Sequence, residues 1–152
     1  MNTEQQERLL LREELLEIIT AVWFDIDHRA GAGASAFFAP DGELRFDASR
    51  PFRGAAEIDA VYANRAARGP RVSRHVVTNL HITAVEADRV SAVSMVILFA
   101  EDGESPRPTT TPAAVGDVID VFERHDGRWL IRSRHCQNHF IAPTTVLAVP
   151  TK

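Results

Sequence analysis

The sequence predicts an α+β fold in a single domain, residues 1–152, and three observations carry that reading. Helix signals are confined to the first half of the chain, where only one short strand interrupts them, and long strand signals fill the rest; that order favours helices segregated from an antiparallel sheet over the alternation of a parallel one. A chain of 152 residues suits one domain and can bury a real core. Its composition, 45% hydrophobic and 25% charged, is that of an ordinary soluble globular protein.

Thr3-Glu-Gln-Gln6 has the spacing of a capping box and predicts a helix starting there. Leu11, Leu15, Ile18, Val22 and Ile26 recur at helical spacing, widened by Leu16, Ile19 and Trp23, so this helix lies on a core until it ends between His28 and Gly31. A rotation of about 100° per residue sets Asp27 on the side of Trp23 and Ile19, with Asp25 about 200° away. A carboxylate on the apolar stripe needs a partner or a wet cavity, unless fraying at the helix end leaves it in solvent. Replacing Asp27 by Asn is expected to keep the fold and impair turnover, and replacing Asp25 by Asn to do little to turnover.

Ala30-Gly-Ala-Gly-Ala34 predicts a flexible joint, and Ser35-Ala-Phe-Phe-Ala39 a second helix of one or two turns that Pro40-Asp-Gly42 stops. Glu43 to Asp47 reads as a strand with Leu44 and Phe46 inward. Pro51-Phe-Arg-Gly54 turns the chain into a third helix with Ile58, Val61 and Tyr62 on its packed face. Arg65 and Arg68 lie near its C-terminus, where the helix dipole favours cations, and Gly69-Pro70 closes it.

Antiparallel strands follow. The first runs from Arg71 to about residue 85, turns at Glu86-Ala-Asp88 and continues as Arg89 to Ala100. Glu101 to Thr111 is the longest irregular connection, a candidate mobile rim. Ala113 to Arg124 and Arg128 to Phe140 form a hairpin across His125-Asp-Gly127, and the tail from Ala142, with Pro143 and Pro150, is expected to be extended. On the strand that opens this series, a period of two puts His75, Val77, Asn79 and His81 on one face and Val76, Thr78, Leu80 and Ile82 on the other. His75 and Asn79 are then either hydrogen-bonded core residues or the polar groups of a pocket.

Charge and composition exclude several function classes. A net charge of -4 with interspersed signs offers no footprint for nucleic acid or anionic lipid, and no apolar run reaches membrane-spanning length. The acidic, polar N-terminus lacks a secretory pattern and Cys136 is the only cysteine, so a cytoplasmic protein is expected. His135 and His139, four apart on a strand, are roughly 13 Å apart, too far to share one ion, and the spacing of His75 and His81 is wider still. No metal or other cofactor is expected. No serine elbow, phosphate loop or activated cysteine stands out.

Acid–base chemistry by Asp27 and His75 remains. If the first helix packs across the strand, the carboxylate fixes the imidazole tautomer and stabilises its protonated form, leaving the other ring nitrogen to take a proton. Arg134, Asn138 and Asn79 are candidate donors for developing negative charge. The plainer alternatives are an ion-pair role for Arg134 and backbone-satisfying roles for the two amides.

The layout, with Ile26-Asp-His-Arg29, Phe52-Arg-Gly54, His75-Val-Val-Thr-Asn-Leu80 and Phe122-Glu-Arg-His-Asp-Gly-Arg-Trp129, resembles the SnoaL-like part of the nuclear transport factor two-like superfamily from about Leu9 to Ala142. The nearest resemblance is to the group containing scytalone dehydratase and hexachlorocyclohexane dehydrochlorinase. It implies a cystatin-like α+β barrel: a curved antiparallel sheet wrapped into a cone around a pocket and closed by three N-terminal helices. It also implies Asp27 as orienting carboxylate, His75 as base, and Trp23 and Arg134 as pocket lining. In one respect the chain departs from scytalone dehydratase, whose tyrosines polarise a carbonyl: the single tyrosine here, Tyr62, lies on the third helix.

The expected function is a cofactor-independent enzyme that abstracts a proton from a small apolar substrate, with dehydratase, dehydrohalogenase, isomerase or cyclase chemistry. The alternative is a non-catalytic ligand-binding or assembly subunit of the same fold, as in the small subunits of aromatic-ring dioxygenases. An ordered Asp27–His75 hydrogen bond in a pocket favours the enzyme, and a collapsed pocket the scaffold. Val76, Leu80 and Ile82, with Val96 and Leu98, read as an apolar face that the helices leave uncovered, so a homodimer or homotrimer through the outer sheet face is also expected.

Overall fold

A computed structural model describes residues 2–108, 110–145 and 147–149. Thr109, in the connection read as irregular, and Pro150, in the tail read as extended, lie outside them. Helix α1 runs Thr3–Arg29. Its cap is Asn2, one residue before the predicted Thr3: the Asn2 side chain accepts from Gln5 N at 2.8 Å, and Gln5 Oε1 accepts from Asn2 N at 3.0 Å. Asparagine caps at least as well as threonine, so the box forms one residue earlier.

The predicted second helix is a single 3₁₀ turn, Ala34–Phe37, so among the described residues two α-helices rather than three accompany the sheet. Strand β1, Phe38–Phe46, takes up the rest of that segment by pairing with a later strand. Pro40-Asp-Gly42 lies inside β1, within the irregularity between the pairings of Phe38 and Glu43. Then come β2 (Phe52–Arg53), α2 (Gly54–Ala66), β3 (Arg71–Val85), β4 (Arg89–Asp102), β5 (Ala114–His125) and β6 (Arg128–Ile141).

Among the described residues, six strands form one curved, unclosed sheet in the order β2-β1-β6-β5-β4-β3. The fold is α+β as predicted, but the sheet is neither a closed barrel nor wholly antiparallel, since β1 pairs with β6 in parallel. A short turn forces its two strands antiparallel, whereas β1 and β6 are separated by α2 and four strands, long enough for a parallel pairing. A bulge bends the β5–β6 pair at Gly116, where a Cβ would lie 2.1 Å from Gln137 O and 2.9 Å from Asn138 Cα.

β3 departs from simple alternation. Its pairing with β4 shifts between Thr78 and His81, and Asn79 has φ +54. One extra residue moves every later side chain to the opposite face. Ser73, His75 and Val77 therefore point inward with Leu80 and Ile82, while Val76 is exposed. This overturns the apolar outer face drawn from Leu80, Ile82, Val96 and Leu98: Leu80, Ile82 and Val96 belong to the core, and Leu98 lines a cavity. The outer face carries a different row, Val76–Ile97–Val115–Phe140, in register across four strands.

The core lies between the concave sheet face and the helices. Leu15, Ile19, Val22 and Trp23 of α1 and Ile58 and Tyr62 of α2 pack with Leu80, Val90, Val118, Phe122 and Ile131. After α1 the chain turns at Gly31, whose φ of +76 suits glycine and whose missing Cβ would lie 2.5 Å from the Tyr62 ring. It then folds back over the far side of α1, where Gly33 N–H donates to Asp25 Oδ2 at 2.9 Å. Asp25 is therefore buried. Helical phase alone set it off the apolar stripe, and the returning chain is what covers it.

Candidate active site

The C-terminal end of α1, the C-terminal end of α2 and the first half of β3 surround a cavity of about 590 Å³. Its apolar wall includes Ile26, Phe46, Val96, Leu98 and Ala114. Volume and lining suit a small organic ligand.

Asp27 and His75 meet on this wall. Asp27 Oδ1 lies 2.7 Å from His75 Nδ1 and accepts from Ser73 Oγ at 2.7 Å; Oδ2 accepts from the His75 backbone N–H at 2.8 Å. Both side chains are nearly enclosed, 11% exposed for His75 and 6% for Asp27. Burial pushes the Asp27 carboxyl up, but the hydrogen bonds and charge of His75, with Ser73, more than offset it and hold the group below its ordinary 3.8. An ionised carboxylate at Nδ1 favours the proton on that nitrogen, which in the neutral ring leaves the lone pair on Nε2. Trp23 stacks on the imidazole, ring centroids 4.2 Å apart and planes 15° apart, and holds it in place.

The other predicted site residues divide. Trp23 and Asn138 line the cavity. The Asn138 backbone N–H and side-chain amide both donate to Asp47, at 2.7 and 2.8 Å, so one of the two side-chain donors is already committed. Arg134 does not reach the cavity: it is 2% exposed, pairs with both oxygens of Asp120 at 2.8 Å, and sits behind Trp23 with its guanidinium 5.2 Å from the ring. Burial works against its charge, but Asp120 more than restores it, and its pKa is raised. Asn79, in the β3 bulge, is exposed and off the lining. The short polar side chain that marked it as a pocket group instead suits a left-handed backbone position.

Two residues overlooked in the sequence complete the wall. Ser73 stands two residues before His75 on the same strand face, a signal that period two supplies. Tyr62 was read as packing, yet it lines the cavity and its hydroxyl makes no hydrogen bond to a described residue. Burial first, then Cys136, raises its pKa, so the phenol stays protonated and able to donate. Burial pushes the Cys136 thiol up to about 12, which removes it as a nucleophile. Among the described residues no group of three or more His, Cys, Asp or Glu side chains is placed to hold a metal ion.

The sequence profile of the SnoaL-like domain matches residues 7–135. Among solved structures, a candidate scytalone dehydratase from Novosphingobium aromaticivorans superposes with a TM-score of 0.79 at 16% identity, covering 94% of this chain and 93% of that one. ActVI-ORFA from Streptomyces coelicolor gives 0.74 at 25% identity, with 85% and 98% covered. An NTF2-like protein with a cystatin-like fold, also from N. aromaticivorans, gives 0.71 at 25% identity, with 91% and 88% covered. No curated protein matches the sequence.

Proposed function

The chain belongs to the SnoaL-like domain family, and from that premise we propose that it is a cofactor-independent enzyme in which His75 Nε2 removes a proton from carbon of a small apolar substrate. The observation that carries this is the contact between His75 Nδ1 and Asp27, 2.7 Å long on the wall of an open cavity. Asp27 orients the ring and stabilises the imidazolium that forms. Negative charge developing on the substrate is met by the Tyr62 hydroxyl, which takes the role that the sequence suggested for Arg134, Asn138 and Asn79. Elimination of water or halide, isomerisation and cyclisation all begin with such a step. A solved structure of similar fold is that of a candidate scytalone dehydratase, which supports the lyase branch. A cavity of about 590 Å³ beside the paired groups is harder to reconcile with a purely structural subunit.

Incubating the protein in D₂O with a panel of small carbonyl and polyketide-like compounds, and following the α-proton signal by NMR, tests the reading. Wild type should exchange the proton of at least one compound, and His75→Gln, with its folding checked by circular dichroism, should not. Exchange at the wild-type rate by His75→Gln, or no exchange with any compound, would sink it.

A further inference from the structure

The two oxygens of Asp27 are loaded unevenly. Oδ2 accepts the His75 backbone N–H at 2.8 Å, whereas Oδ1 meets both His75 Nδ1 and the Ser73 hydroxyl, each at 2.7 Å. The imidazole thus bonds to an oxygen that a hydroxyl already occupies. Ser73 is held there by its strand. Two residues before His75 it points to the same face, and it is buried. Its β4 partner Ala100, like Leu98 opposite His75, lines the cavity and brings no side-chain acceptor to draw the hydroxyl away. A hydroxyl buried in an apolar wall costs free energy unless it is bonded, so the bond to Asp27 is what this residue type contributes here.

A hydrogen bond to an ionised carboxylate stabilises the charge and makes the group a weaker base. Burial raises the Asp27 carboxyl, and His75 and then Ser73 bring it below its ordinary value. A carboxylate eased in this way pulls less on the imidazole and stabilises its charged form less. Beside a bare carboxylate, His75 would keep its second proton to higher pH, and Nε2 would be occupied where a base needs it free.

We propose that Ser73 is a positioning residue: by sharing Asp27 Oδ1 it moderates the carboxylate and sets the pH above which His75 Nε2 is free to accept a proton. The catalytic meaning rests on the reading of His75 as base; the coupling of Ser73 to the ring does not. The other groups around the ring supply a constant background. Tyr62 on α2 and Cys136 on β6 are both pushed up by burial, the thiol to about 12, and stay protonated. Arg29, Arg65 and Arg71 on the lining, and Arg134 behind Trp23 with its partner Asp120, carry guanidiniums that are charged throughout. His28 also lines the cavity, with its ring against Phe24, and is followed as a separate signal.

The test is an NMR titration of the full chain with labelled histidine, the His75 signals being assigned by their loss in H75Q. In S73A the His75 midpoint should rise by roughly 0.5–1 pH unit above wild type, which is what losing one net hydrogen bond supplies. S73T, which keeps the hydroxyl, should titrate like wild type. In a D27N background S73A should leave the midpoint where D27N alone puts it, since no carboxylate is left to moderate. For any compound whose proton the wild type exchanges, the acid limb of the S73A rate profile should move up by the same interval. A merely structural change would lower the rate alike at every pH and move no midpoint. If S73A is too unstable to titrate, S73C, a weaker donor of similar size, is read by the same criteria. An unmoved or lowered midpoint in S73A, a shift as large in S73T, or a shift that persists in D27N would overturn the proposal. A midpoint that rises in S73A while wild type exchanges no carbon-bound proton would keep the coupling and remove the base.

Discussion

At the scale of single residues, Asp25 and Asp27 are two buried carboxylates with different work. Asp27 faces the cavity through His75, whereas Asp25 receives the Gly33 N–H on the far side of the helix. Asp27→Asn should lower the proton-exchange rate by about 10²-fold, since an amide can hold the ring but cannot stabilise its charged form. Asp25→Asn should leave exchange nearly intact and reduce stability by about 1–2 kcal/mol in urea titration, the cost of disturbing a buried charged acceptor. Asp27 also links stability to pH. Its folded pKa lies below 3.8, so its contribution is fully present above that value and is lost as the pH falls through it toward the lowered one. Acid titration followed by circular dichroism should therefore show a flatter stability profile below about pH 4 in Asp27→Asn than in wild type. Identical acid limbs would mean the carboxylate gains nothing from His75 on folding.

At the scale of elements, the bulge in β3 decides which side chains see the cavity. It keeps Ser73 and His75 inward on one side while turning Leu80 and Ile82 onto the core on the other. Asn79, with φ +54, is the hinge of that switch. Asn79→Gly should be nearly neutral, and Asn79→Val should cost on the order of 1–2 kcal/mol, because a β-branched side chain is disfavoured at positive φ. If valine is accepted as readily as glycine, the strand reaches the same register without a left-handed residue. Gly116 has no such tolerance: an added Cβ meets the β6 backbone, so Gly116→Ala should destabilise the β5–β6 pair and displace Asn138 from the cavity wall.

At the scale of the whole molecule, the concave face is covered and the convex face is not. Val76 and Phe140, 48% and 71% exposed, end a row that runs through Ile97 and Val115, with Phe99 beside it. A contiguous apolar row on a sheet face marks an interface. We propose a homodimer or homotrimer through this face, now built on these residues and not on Leu80 and Ile82. Light scattering at micromolar concentration should show more than one chain, and Phe140→Glu with Val76→Glu should shift the mass to a monomer that keeps its fold. A wild-type monomer under those conditions rules the assembly out.

The sequence by itself determined what depends on local periodicity. Helical phase set Asp27 beside Trp23, alternation in β3 set His75 on a polar inner face, and turn chemistry set most of the element order. These properties follow from the geometry of one segment, and neighbours a few residues apart suffice to express them. Tertiary structure alone decided what stands opposite each segment. Arg134 carried the right chemistry for the site, but its pairing with Asp120 across the β5–β6 ladder left it behind Trp23. Arg65 was legible only as a cation at a helix end, until Asp102, 37 residues away and off the cavity lining, drew it and Arg71 together on the cavity wall. Asp25 was off the apolar stripe, yet the returning chain buried it, and Asn79 broke the alternation on which its own assignment rested. Periodicity names the face a side chain is on; only long-range packing says whether that face meets solvent, core or cavity.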